Sequence, residues 1–183
     1  MGAPRSHLDR LPTSPPPTVA LAVPSQPPPG VPPMLTDLLL ASAHHLLVFA
    51  LIAMLVAESV LLRGPIDAAV LRRLAGLDSG YGASAVLLLV VGLSRLKFGV
   101  KGLDFYAHNP WFHAKLGAFI LIALLSILPT VRFLRWRKAL KADPNFLPAA
   151  SEVGTLRLLI RFELVLVAVI LVCAAAMARF GGF

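Results

Sequence analysis

Polar side chains become sparse from Leu35 onward, and between their clusters lie four apolar stretches, each long enough to cross a hydrocarbon core as a helix of about 20 residues. The first covers about 35–62 and stops at Arg63-Gly64-Pro65, a helix-terminating sequence. The second, about 79–99, is densest from Tyr81 to Leu93 and ends at Phe98-Gly99; an amphipathic lead-in from Ile66, carrying Arg72, Arg73 and Asp78, reads as its interfacial extension. Asn109-Pro110 opens the third, about 110–134, because Asn caps a helix and Pro fits its first turn. Pro129 lies inside that stretch and predicts a kink whose freed backbone groups neighbouring elements satisfy. The fourth, about 155–180, closes on Gly181-Gly182. Short connections between four spans predict an all-α integral membrane protein, an up-down-up-down bundle of four transmembrane helices within 34–183.

Residues 1–33 break this pattern. They hold eleven of the sixteen prolines, so the sequence predicts a disordered, polyproline-like N-terminal tail. Thr18 to Val23 is too short an apolar run for a secretory signal, and Met34, where the apolar sequence begins, is an alternative start of the reading frame.

Composition supports the membrane assignment: 57% of residues are hydrophobic, 14% are charged and mean hydropathy is +0.80, which excludes an ordinary soluble enzyme. The net charge of +8 invites a nucleic-acid reading, yet the basic residues stand at the ends of apolar runs, where anionic headgroups account for them. Nucleic acid is not an expected partner; the lipid bilayer is. Ten basic residues (Arg63, Arg72, Arg73, Arg132, Arg135, Arg137, Lys138, Lys141, Arg157 and Arg161) fall around the first and last connections and are predicted to be cytoplasmic. Arg95, Lys97, Lys101, Lys115, Arg179, Arg5 and Arg10 fall on the other side, which places both termini outside a bacterial inner membrane. Cys173, the lone cysteine, excludes a disulfide framework and reads as a small core residue.

Ionisable side chains within the spans are functional candidates, since each costs roughly 2.5–3.5 kcal/mol to insert. They are His44, His45, Glu58, His113, Lys115, Arg157, Arg161 and Glu163. At about 100° per residue Asp37, His44 and Glu58 share one stripe while His45 points elsewhere, so His44 is the better interior residue. His113 lies on the diagonal partner in the same leaflet. Two imidazoles so placed suit the iron of a b-type haem, with Arg95, Lys97 and Lys115 near its propionates. Structural hydrogen bonding by the same two histidines stands beside that reading. His108 fits an aromatic belt and Lys115 can snorkel to the interface. Arg157, Arg161 and Glu163 read as a paired cluster at a helix end, and Glu58 as a local partner of Arg63.

The stretch from Tyr106 to Gly117, which includes His108-Asn109-Pro110-Trp111-Phe112-His113-Ala114-Lys115, resembles the bacterial membrane family called domain of unknown function 2214. Ala43-His44-His45-Leu46 and the stretch from Pro129 to Arg137 add to the resemblance, which runs from Met34 to the C-terminus and brings no established activity with it. More remotely, Trp111-Phe112-His113-Ala114-Lys115-Leu116 is similar to a segment of HemJ-type protoporphyrinogen oxidases and of the related CopD-like membrane domains. That likeness implies an early haem ligand at His44 or His45, with His113 and Lys115 in the haem or substrate pocket. The downstream Tyr-His pair of the oxidases is replaced by Leu125-Ser126-Ile127-Leu128.

The leading functional expectation is therefore a membrane protein that binds haem b between its first and third helices, with His44 and His113 as metal ligands and His45, Arg95 and Lys115 in the cofactor pocket. It would take part in electron transfer with a quinone or porphyrinogen. The alternatives are a non-catalytic accessory subunit of a larger membrane complex and a metal-ion handling protein.

Overall fold

Four long helices account for almost all of residues 33–98 and 107–180, which are the residues the computed structural model describes. They are α1 (Pro33–Leu61), α2 (Ala68–Phe98), α3 (Pro110–Ala142) and α4 (Ala150–Phe180). All four are long and apolar enough to cross a membrane. The N-terminal tail up to residue 32, residues 99–106 of the connection between α2 and α3, and Gly181-Gly182-Phe183 lie outside the described residues.

The helices contain 29, 31, 33 and 31 residues, or about 44–50 Å at about 1.5 Å per residue. A hydrocarbon core is about 30 Å thick, so each helix overhangs it. That excess corrects the expected bounds. α3 continues eight residues past 134, carrying Arg135, Arg137, Lys138 and Lys141 on exposed positions, and α4 begins at Ala150 rather than near 155. The lead-in of α2 is a continuous part of that helix. Its Arg72 and Arg73 are exposed, but Leu71, Leu74 and Ala75 are packed into the core, so this segment is structural on one face and interfacial only on the other.

Each boundary has a local cause. Asn109 accepts from the backbone N–H groups of Trp111 (3.0 Å) and Phe112 (3.3 Å), and Pro110 follows at the first helical position, as the sequence predicted. Asp67 does the same for α2, accepting from the N–H of Val70 at 2.7 Å. Arg63 and Gly64 end α1 with tight turn bonds to Val60 and Leu61. α3 runs unbroken through Pro129, which is buried.

α1 packs on α2, α2 on α3, α3 on α4, and α4 back on α1, which closes the ring and leaves α1 and α3 as diagonal partners. Inward faces follow helical periodicity. On α1 they are Leu51, Leu55 and Glu58, continued by Leu62 just past its end; on α4 they are Val153, Leu156, Ile160, Glu163, Val167 and Cys173. Hydrocarbon is as apolar as leucine, so close packing and interhelical hydrogen bonds supply the attraction. Between α1 and α2 the missing side chain of Gly80 makes room for that of Met54, since an added Cβ would stand 3.0 Å from the Met54 sulfur. Outward faces carry Leu38, Leu46, Phe49, Val86, Leu124, Phe162 and Val172, an apolar exterior suited to lipid.

Candidate functional site

The bundle has two polar levels, separated along α1 by the fourteen residues between His44 and Glu58, about 21 Å at helical rise. At the first level His44 of α1 is half-buried, and its Nδ1 is enclosed without a hydrogen-bond partner. Gly92 of α2 faces it, and a Cβ added there would stand in ordinary contact, 3.8 Å from His44 Cε1. Arg95, one turn further on, is half-buried, and its Nε is likewise enclosed without a partner. Lys115 enters from α3, within electrostatic reach of His44, of Arg95 and of the buried Cys173 on α4. Its ammonium also stands 5.7 Å from the centre of the Phe112 ring, a cation–π distance. An imidazole, a guanidinium and an ammonium on three helices therefore converge at one end of the interior.

Two histidines expected in that pocket stand elsewhere. His45 is exposed, and its Nδ1–H donates to the carbonyl of Ala41 at 2.6 Å. Its ring meets that of His44 edge to face, with centroids 6.2 Å apart. His113 is exposed as well, and its Nδ1–H donates to the carbonyl of its own helix cap, Asn109, at 2.9 Å. The inward stripe of α1 takes in His44 and leaves His45 outside, whereas depth along α3 does not determine which way His113 faces. Among the described residues no group of three or more His, Cys, Asp or Glu side chains is arranged to hold a metal ion.

Below His44 a cavity of about 120 Å³ opens between the helices, lined by Val48, Leu51, Tyr81, Phe119, Ser126 and Thr130 among others. Pockets for drug-sized ligands and cofactors run to about 300–1,000 Å³. The cavity is smaller than that range, and His113 faces away from it.

The second level is acidic. Glu58 of α1 is 2% exposed, Asp78 of α2 4% and Glu163 of α4 1%. Thr130 of α3 donates to Asp78 at 2.8 Å. Glu58 does not pair with Arg63, whose guanidinium reaches the hydroxyl of Ser59 at 3.5 Å. Glu163 does not pair with Arg157 or Arg161: Arg157 donates through Nε to the carbonyl of Leu62 at 2.6 Å, and Arg161 is exposed. The reason is rotational. Glu163 occupies the inward stripe of α4, and the two arginines do not. Asp78 and Tyr81 went unrecognised as site residues, although Leu71, Leu74, Asp78 and Tyr81 repeat at helical spacing and would have placed both on the inner face. Nearer the basic end, Glu152 binds Arg132 and accepts from the indole N–H of Trp136 at 3.1 Å, tying α3 to α4.

A family model described as "Predicted membrane protein (DUF2214)" matches residues 36–182. No curated protein and no solved structure matches the chain.

Proposed function

The chain belongs to the DUF2214 family of predicted membrane proteins, and from that premise we propose that its His44–Arg95–Lys115 pocket binds the carboxylates of a membrane-borne tetrapyrrole, a porphyrinogen or haem b, and that the protein takes part in electron transfer in a bacterial inner membrane. One observation carries this reading: His44 Nδ1 and Arg95 Nε are enclosed on neighbouring helices without a hydrogen-bond partner. An unsatisfied polar atom at membrane depth costs several kcal/mol, and a ligand that supplies acceptors removes that cost. Arg95 and Lys115 supply positive charge for propionates, with the guanidinium able to hold one in two parallel hydrogen bonds. His44 presents a ring nitrogen at the same level, able to exchange a proton with the ligand or to hold its metal. The macrocycle itself would lie at the mouth of the pocket rather than between α1 and α3, and would supply the redox chemistry. The orientation that follows from the basic residues puts this pocket in the outer leaflet, with both termini outside.

Absorption titration of the detergent-purified protein with haemin, and separately with protoporphyrin, tests the proposal. Saturable binding is expected in the wild type, with affinity lower by tenfold or more in Arg95→Gln and His44→Ala and unchanged in His45→Ala and His113→Ala. Equal loss in His113→Ala would restore the two-histidine arrangement. Absence of saturable binding in the wild type would reject the tetrapyrrole reading and favour an accessory subunit, in which histidines bonded to their own helices, as His45 and His113 are, have no ligand to hold.

A further inference from the structure

We propose that Glu58, Asp78 and Glu163 form a proton-binding site inside the bundle, reached by water through the cavity that Tyr81 and Thr130 line. The site is independent of the tetrapyrrole reading, since it occupies the other polar level and shares no residue with the His44 pocket.

Each helix contributes one polar side chain to this level: Glu58 from α1, Asp78 from α2, Thr130 from α3 and Glu163 from α4. The three carboxyls lie within electrostatic reach of one another, and the phenol of Tyr81 lies within reach of all three. Oε1 of Glu58 and Oε1 of Glu163 are both buried and without a partner. Of the cations near in sequence, Arg63 is engaged at Ser59, Arg157 at the Leu62 carbonyl and Arg132 at Glu152, while Arg161, two residues from Glu163, is exposed on the outer face of α4. α3 offers Thr130 here and no charge of its own.

Carboxylates in that setting carry two penalties. Removal of an ion from water costs several kcal/mol even after relaxation, and like charges at short range oppose one another. A bound proton relieves both penalties at once. A divalent metal would also relieve them, but the three carboxyls are not arranged as a metal-binding group. Uptake is an acid–base step relayed by Thr130: its hydroxyl proton passes to the Asp78 carboxylate while a protonated water in the cavity gives its own to the Thr130 oxygen, so one O–H bond forms on the carboxylate, the hydroxyl is restored and neutral water remains. Release reverses it, leaving the bonding pair on the carboxylate.

Access runs through Thr130, the one member of this group that lines the cavity. The cavity holds about 120 Å³ between mostly apolar walls, which by volume is room for several waters at about 10–15 Å³ each, and Tyr81, Ser126 and Thr130 are the hydroxyl-bearing residues that line it. Thr130 belongs both to the cavity wall and to the carboxyl group, because its hydroxyl donates to Asp78. Along α1 the cavity runs from Ile52 to Val48, towards the level of His44.

Infrared difference spectra of the full chain in phosphatidylcholine vesicles, recorded across a pH titration, test this. The wild type is expected to show the carbonyl stretch of protonated carboxyls, reversible with pH. Glu58→Gln and Glu163→Gln, which keep side-chain shape, should each reduce that band by about a third to a half and move the midpoint of the remainder by about one pH unit or more. In heavy water the wild-type band should shift at once, and Ala123→Phe, which fills the cavity, should slow that exchange at least tenfold. Exchange in the wild type needs no variant, so a poorly folding glutamine variant leaves the test intact. Three results would overturn the proposal: no pH-dependent carboxyl band, a band unaltered in both glutamine variants, or loss of the band at fixed pH on addition of Na⁺, K⁺ or Ca²⁺, which would assign the cluster to a metal cation.

Discussion

Thr130→Val removes one hydroxyl from the seam between α2 and α3 while preserving side-chain shape, so its effect isolates the hydrogen bond to Asp78. That bond spans 2.8 Å between residues 52 apart in sequence, and Asp78 is only 4% exposed. In water-soluble cores, leaving such an acceptor without its donor costs about 1–3 kcal/mol. Interhelical hydrogen bonds in membranes average about 0.6 and reach about 1.7 kcal/mol, because the separated helices find other partners. The membrane figure governs here, and it corresponds to a change of about threefold to twentyfold in the unfolding equilibrium. The assay is a double-mutant cycle in mixed micelles: wild type, Thr130→Val, Asp78→Asn and the double variant, with Thr130→Ser as a control that keeps a hydroxyl. The double variant should lose less stability than the two single losses added together, by about 0.6–1.7 kcal/mol. Additivity to within about 0.3–0.5 kcal/mol would refute the contact and, with it, the placement of Thr130 between cavity and carboxyls.

Two further outcomes are expected. Asn109→Ala deprives the N–H groups of Trp111 and Phe112 of their acceptor and should cost about 1 kcal/mol, seen as earlier fraying of α3 in amide hydrogen exchange; equal exchange at those two amides would show that the cap does not hold the helix. Lys141→Cys, exposed near the end of α3, should resist an impermeant thiol reagent in intact cells, and ready labelling would invert the orientation inferred from the basic residues.

Helix number, connection order and the inward stripe of α1 were legible because lipid imposes a simple rule on sequence: apolar runs span, and polar interruptions turn. Rotation was legible where several inward residues share a stripe, as with His44 and Glu58 on α1. It was not legible for His113, whose outward orientation belongs to the start of α3 and the carbonyl of Asn109. Salt-bridge arithmetic along the sequence misled in a consistent way. Arg63 follows Glu58 by five residues and Arg161 precedes Glu163 by two, but neither spacing brings side chains together on a helix, where the third and fourth neighbours meet. Asp78 was obscured by its basic neighbours Arg72 and Arg73, which face outward while it faces in.

The unequal packing around the ring has a consequence for assembly. α1 lies extensively against α2, and α3 against α4, whereas the seams that join these two hairpins are slight. Helices that insert first and associate afterwards would then form two separate hairpins before a bundle exists. Among the described residues, the first seam carries the long-range polar bond from Thr130 to Asp78 and the second that from Arg157 to the carbonyl of Leu62. Apolar surfaces alone would let one hairpin slide or dock against the other in several registers. These two bonds act as locating pins, so the chain uses its scarce polar groups to determine which arrangement of the halves is the finished one.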